Sequence, residues 1–340
     1  MHTASISLNA LICLVALALV FDFMNGFHDA ANSIATVVST GALKPHQAVA
    51  WAALFNLLAI SVFGFHVART VGTGIVDPYA IDHRVIFAAL LAAIAWNLLT
   101  WWMGTPSGSS HALIGGLIGA TLAKAGLSAL IGAGIVRTAA FIVLSPLFGF
   151  VLGIVLMVLM GWVLRGTSVR GADRWMRRLQ IVSSALYSLG HGGNDAQKTM
   201  GVIWLLLITA GVTEPDHLPA WVVIACYLTI ALGTLFGGWR IVRTMDQRIT
   251  RLRPVGGFCA ETSGAFMLFI ASAAGIPVSS THTITSAIVG VGAANRISAV
   301  RWGVAGSLIW IWALTLPATA LMAAIGWAVS GWFFQAGQRL

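Results

Sequence analysis

Apolar stretches close to the twenty or so residues that an α-helix needs to cross a bilayer recur from one end of this chain to the other, and no other feature constrains its fold as strongly. In lipid, every backbone N–H and C=O must be satisfied within its own segment, so such stretches dictate helices. Charged residues make up only 9% of the 340, against roughly a quarter in an ordinary soluble domain. Mean hydropathy is +0.90. A soluble globular protein is excluded, and no segment is long and polar enough for a sizeable soluble domain. The fold class expected is an all-α polytopic membrane protein whose chemistry lies within the membrane. Three cysteines, Cys13, Cys226 and Cys259, sit in apolar stretches without metal-ligand spacing and read as small core residues. They are silent on redox compartment.

The net charge of +9 invites a nucleic-acid reading, but the positions of the charges argue against it. Of the 19 Lys and Arg, ten fall in two short segments: Arg165, Arg170, Arg174, Arg177 and Arg178, then Arg240, Arg243, Arg248, Arg251 and Arg253. By the positive-inside rule both segments face the cytoplasm, so the basic balance orients the chain in an anionic membrane. Residues 213–218 between them, with Glu214 and Asp216, then face outward. At the start, Ile6 to Val20 is apolar but runs into Asp22 and Asn25 without a signal-peptidase-like site, which predicts a retained first helix.

Reading outward from these segments gives a topology. Residues 138–164 come in, 179–212 go out, 219–239 return and 303–330 exit. Residues 255–275 and 282–294 are apolar stretches separated by Gly275-Ile276-Pro277-Val278-Ser279-Ser280-Thr281-His282, a polar break too abrupt for one continuous helix. A re-entrant hairpin fits it. In the first half, 85–104 and 111–123 flank an equivalent break, Gly104 to His111. Residues 46–65 form a further span. Residues 5–40 would run roughly 54 Å as one straight helix, longer than the hydrocarbon core, and are expected to break near Asn25-Gly26.

Two separate polar motifs are duplicated. Asn25 to Ser33 aligns without gaps on His191 to Thr199, and Pro106 to His111 on Pro277 to His282, at offsets of 166 and 171 residues. With three crossings and a hairpin per half, the second half is inverted relative to the first. The expectation is two inverted-topology repeats, 1–164 and 179–340, joined by a cytoplasmic Arg-rich linker, 165–178. Each repeat carries a broken helix and a re-entrant helical hairpin, with both termini outside. Inverted repeats with discontinuous helices are the build of many secondary transporters.

Four acids, Asp22, Asp29, Asp195 and Glu261, lie inside apolar segments, where an ionised carboxylate costs about 2.5–3.5 kcal/mol on insertion scales. A protonated or ion-paired structural acid is the plain alternative. In a water-lined cavity such an acid can instead hold Na⁺ or take up a proton, and duplication favours this for Asp29 and Asp195. Ser109-Ser110 and Ser279-Ser280-Thr281 stand where a helix restarts, so hydroxyls and unpaired N–H groups converge at the positive end of a half-helix. Two facing sites of this kind would cradle a small tetrahedral oxyanion, although simple capping is the alternative for each. Lys198 occupies the place that Asn32 holds in the first half, and either neutralises Asp195 or contacts the anion. His111 and His282 could relay protons or donate to the anion, but structural hydrogen bonds are the role expected of them. Asn97 and Asn25 offer neutral ligands.

The strings NGFHDAANSIATVVSTGALKP (Asn25 to Pro45), GHGGNDAQKTMGVI (Gly190 to Ile203), TPSGSSHALIGGLIGA, IPVSSTHTITSAIVGVG and WALTLPATA (Trp312 to Ala320) resemble the signature segments of the inorganic phosphate transporter (PiT) family. The likeness covers nearly the whole chain. It implies a bacterial low-affinity symporter, not an enzyme, that moves inorganic phosphate, in some members as a neutral metal-phosphate complex, with H⁺ or Na⁺. By motif, Asn32, Asn194, Lys198 and the serine clusters (Ser109, Ser110, Ser279, Ser280, Thr281) would hold phosphate. Asp29 and Asp195 would serve cation coupling, with Na⁺ at these two the candidate metal, and Asn25, Asn97, Glu261 and Asp22 behind them. No further cofactor is expected. The partners implied are phosphate and the lipid of an inner membrane, with no nucleic acid, and a homodimer is left open. One departure from the repeat is Gly108, where the second half has Ser279. The alternatives are a symporter for another oxyanion such as sulfate, or an undecaprenyl-pyrophosphate phosphatase, which shares a Pro-Val-Ser-Ser run. The phosphatase also needs acids close before that run and a neighbouring arginine, and neither is here.

Overall fold

The computed structural model describes residues 6–245, 250 and 252–337. These form α1 (Leu8–Ser39), α2 (Pro45–Leu58), α3 (His66–Thr73), α4 (His83–Met103), α5 (Ser109–Ala125), α6 (Gly132–Val163), α7 (Val169–Thr209), α8 (Ala220–Phe236), α9 (Trp239–Thr244), α10 (Pro254–Ala273), α11 (Ser280–Asn295) and α12 (Trp302–Gly337). The order is the same in each half: a long helix, a medium one, a short one, a hairpin pair and a long closing helix. The α4–α5 and α10–α11 pairs are the two helical hairpins read from the polar breaks. Each first helix stops at a left-handed glycine, Gly104 (φ 68°) or Gly275 (φ 69°), a conformation that only glycine adopts cheaply.

Among the described residues, five helices are long and apolar enough to cross a membrane: α1, α4, α6, α10 and α12 as far as Gly331. The chain is membrane-embedded. The helix α7, at 41 residues, would run roughly 60 Å, but its arginines and the polar motif around Asp195 dilute its apolar character. Four arginines expected in a linker over 165–178 lie on this helix, because Ser168 caps it by accepting from Gly171 N at 3.3 Å. Arg248 and Arg251 lie outside the described residues.

The expected break near Asn25-Gly26 is absent, and α1 runs unbroken through both residues. The glycine there serves packing. A Cβ on Gly26 would lie 2.3 Å from Ile230 O on α8, and one on the equivalent Gly192 would lie 2.5 Å from Asn56 O on α2. Small residues thus bring each motif helix against the other half's second helix. The sharp turn falls one element later. The segments Pro45–Ser61 and His66–Thr73 meet at 82°, and α8 gives way to α9 at Gly237-Gly238.

The halves interleave. The helix α6 packs on the second-half hairpin, α10 and α11, while α12 packs on the first-half hairpin, α4 and α5. Two apolar clusters result. One surrounds α4–α5 with Val85, Leu90, Leu113 and Leu117, and the other surrounds α10–α11 with Leu268, Ile276, Ile284 and Ile288. The outward residues of α6 and α12, such as Val143, Leu147, Trp310 and Leu314, are exposed and apolar, as lipid contact requires. The polar motif residues of α1 and α7 and both hairpin breaks are buried in the interior.

Candidate functional site

The starts of α5 and α11 meet tip to tip. Ser279 caps α11 by accepting from His282 N at 3.3 Å, and its counterpart Gly108 precedes α5. A Cβ on Gly108 would lie 2.9 Å from Ser279 Oγ and 3.0 Å from a ring nitrogen of both His111 and His282. Only one of the two equivalent positions has room for a side chain, which accounts for the departure from the repeat. Gly108→Ser is expected to overpack the contact by about 1–3 kcal/mol and to lower the thermal unfolding temperature. Gly108→Ser with Ser279→Gly, which moves the hydroxyl across the contact, is expected to recover most of it. Equal loss in the single and double variants would refute the steric account.

The two aspartates occupy matched surroundings. Ser109 donates to Asp29 Oδ2 at 3.0 Å, and Ser280 donates to Asp195 Oδ2 at 2.9 Å. So the first residue of each hairpin's second helix binds the acid of its own half. The next residue reaches across. Thr281 accepts from Asn32 Nδ2 at 2.8 Å and donates to Asp29 Oδ1 at 3.2 Å, while Ser110 accepts from Lys198 Nζ and donates to Val278 O at 3.1 Å. Lys198 also pairs with Asp195 and donates to Val278 O at 2.6 Å, so its three N–H groups are filled. An imidazole completes each side. His28 Nδ1 is 2.7 Å from Asp29 Oδ1, and His191 Nδ1 is 3.0 Å from Asp195 Oδ2. Each aspartate therefore has an imidazole nitrogen within hydrogen-bonding distance.

Eight predicted residues thus fall into two matched buried sets side by side at the helix starts, Asp29 with Ser109, Thr281 and Asn32, and Asp195 with Ser280, Lys198 and Ser110. The Oδ1 of Asn32 is buried there and accepts no hydrogen bond among the described residues. Asn194 instead braces the hairpin break. Its amide donates to Ser272 Oγ and Ile276 O, both at 3.1 Å, and accepts from Val278 N at 3.2 Å. Glu261 stands apart, with donors from Thr36 and Ser183 at 2.5 Å and Gln180 at 3.0 Å. Asp22 takes one bond, from Thr199 at 2.7 Å, and its Oδ2 takes none among the described residues. Asn97 is buried with both amide atoms likewise unpartnered, as is Asn25 Oδ1. Four other side chains, His28, His191, Gln180 and Thr36, were missed. Of these, His28 and His191 carried a signal, as the residues opposite Asn194 and Asn25 in the duplicated motif.

The expectation of hydrogen bonds for His111 and His282 is not met on either nitrogen of His111, nor on Nε2 of His282, among the described residues. The rings pack instead. They lie 4.4 Å apart edge to face, and His282 stacks on Trp312 at 4.1 Å. An apolar cavity of about 520 Å³ between α6, α11 and α12, lined by Pro146, Phe150 and Trp302, reaches His282 but none of the acids.

A helical chain that buries carboxylates, an ammonium and paired hydroxyls at the meeting point of two hairpins is a membrane protein built for ion chemistry inside the bilayer. It belongs to the phosphate transporter family, whose description matches residues 25–323. A probable low-affinity inorganic phosphate transporter of Rhizobium meliloti (strain 1021) is 57% identical over 323 residues, covering 95% of this chain and 97% of that protein. Another from Bacillus subtilis (strain 168) is 45% identical over 326 residues, with coverage of 95% and 98%. Among solved structures, "The sodium-dependent phosphate transporter" matches with a TM-score of 0.88 over 95% of this chain and 99% of that one. At 24% identity, that likeness is one of fold.

Proposed function

We propose that this protein is a secondary active symporter that imports inorganic phosphate, free or as a neutral metal-phosphate complex, together with H⁺ or Na⁺. It sits in the inner membrane as a multi-pass protein of two inverted repeats with re-entrant hairpins and both termini outside. One observation carries the reading: the duplicated network, in which each aspartate holds its own hairpin while Asn32–Thr281 and Lys198–Ser110 bridge the halves. Phosphate is held by the serines and threonine at the helix starts, by the N–H groups beside them and by the buried Asn32 and Lys198, with the Ser110, Thr281 and Lys198 donors turning to it from their present partners. Asp29 and Asp195 take the coupling cation. Asp22 and Glu261, with Asn25 and Asn97, stand behind them as further cation-coupling residues.

The test is radiolabelled phosphate uptake into proteoliposomes with pH and Na⁺ gradients imposed separately and sulfate as competitor. Gradient-driven accumulation of phosphate is expected, and its absence under both gradients refutes symport. Ser110→Ala and Thr281→Ala each remove a hydrogen bond to a charged ligand, worth about 1.5–3 kcal/mol. Each should raise the half-saturating phosphate concentration by roughly tenfold or more. Unchanged kinetics in both would overturn the placement of phosphate between the helix starts.

A further inference from the structure

The carbonyls of Gly104 and Gly275 stand just past the ends of α4 and α10, where a helix leaves acceptors without helical donors. Each is bound by a threonine from the short helix of the opposite half. Thr70 Oγ1, on α3, donates to Gly275 O at 2.6 Å, and Thr244 Oγ1, on α9, donates to Gly104 O at 2.7 Å. The threonines are 174 residues apart and the glycines 171, so the contact repeats with the fold. An arginine supports each one. Arg240 of α9 donates to Trp102 O at 2.9 Å with its guanidinium over the Trp101 ring, and Arg137 of α6 donates to Ala274 O at 2.6 Å. Neither threonine takes part in the acid–hydroxyl network. What they fix is the position of the hairpin breaks that present its hydroxyls.

We infer that Thr70 and Thr244 are positioning residues that act as reciprocal latches. Each ties one hairpin tip to the opposite half, and the carrier opens to one membrane face by releasing the Thr70 contact and to the other by releasing the Thr244 contact. The inference rests on the transport reading with inverted repeats, which puts α3 and α9 on opposite faces. Both contacts are made in this conformation, and the acids and hydroxyls at the helix starts are buried. Losing one neutral hydrogen bond should shift the balance between closed and open by roughly two- to tenfold.

The test reads accessibility without phosphate, so it is independent of transport activity. Cys13 is exposed while Cys226 and Cys259 are buried, and Cys13→Ser therefore gives a quiet background. Single probes, Ser107→Cys in the first break and Ser272→Cys beside the second, are labelled with an impermeant thiol reagent in right-side-out and inside-out vesicles. Thr70→Val should raise labelling of the Ser272→Cys probe from one face only, and Thr244→Val that of the Ser107→Cys probe from the other face only, each roughly two- to tenfold. Thr→Ser at either position keeps the hydroxyl and should leave the rates unchanged. Thr→Ala is run beside Thr→Val, so that a steric failure of valine leaves a readable variant. Changes on the same face, equal rates in the Ser, Ala and Val variants, or labelling of both probes from both faces in the Val and Ala variants would overturn the latch.

Discussion

An Asp29→Asn protein is expected to bind phosphate and yet fail to accumulate it against a gradient. The argument is one of sign. An ionised carboxylate repels phosphate by about 4 kcal/mol per unit-charge pair at 4 Å in an effective dielectric of 20. Binding Na⁺ or a proton removes that repulsion, and linkage requires phosphate to tighten cation binding by the same factor. Asparagine has the charge of the protonated acid, so the anion site survives while the dependence on cation is lost. The local geometry tolerates the exchange. Ser109, which donates to Asp29 Oδ2 at 3.0 Å, can donate equally to an amide oxygen, while at the other atom His28 can present its lone pair to the amide N–H₂ in its other tautomer and Thr281, which donates there at 3.2 Å, turns its hydroxyl to accept. Uptake into sealed vesicles under an imposed gradient, read beside phosphate binding in detergent, separates the two properties. Full accumulation would place the coupling ion elsewhere, with Glu261 and Asp22 the next acids to examine.

Replacing Lys198 should be the most damaging single change in the buried centre. Its ammonium meets Asp195, Ser110 and Val278 O, and Lys198→Met would leave the carboxylate buried with only His191 and Ser280. Removing one partner of a buried ion pair costs about 3–5 kcal/mol. A fall in the thermal unfolding temperature in detergent and complete loss of uptake are expected. The double variant Lys198→Met with Asp195→Asn removes the unpaired charge, so it should recover much of the stability while uptake stays absent. A single variant as stable as the parent protein would show that the pair is not a buried ionic contact.

The hairpins were legible because glycine, proline and serine interrupt apolar runs abruptly. The stretch 255–275 became Pro254–Ala273, and 111–123 became Ser109–Ala125. The duplicated motifs likewise pointed to the residues that meet at the centre. The error at Asn25-Gly26 came from treating glycine as punctuation, where its missing side chain admits the backbone of α8. The short helices α3 and α9 were missed because, at eight and six residues, neither has the length that marks a span. The imidazole partner of Asp29 was hidden for a different reason: His28 and Asp29 are adjacent in the chain, and only the rotamers bring their polar ends together.

The exchange of closing helices makes the two halves equal in space but unequal in time. Gly290 on α11 is the seat for α6, with its Cβ position 2.2 Å from Phe150 O, and Gly119 on α5 is the seat for α12, 2.0 Å from Ala320 O. When the ribosome delivers α11, its cover α6 is already in the membrane. The first hairpin must wait about 180 residues from Ala125 until α12 begins to emerge, on the order of ten to thirty-five seconds at about 5–20 residues per second. During that interval its glycine-lined groove faces lipid or insertion machinery. The last helix is therefore a keystone, and a chain that stops short of it leaves the first hairpin open to membrane proteases.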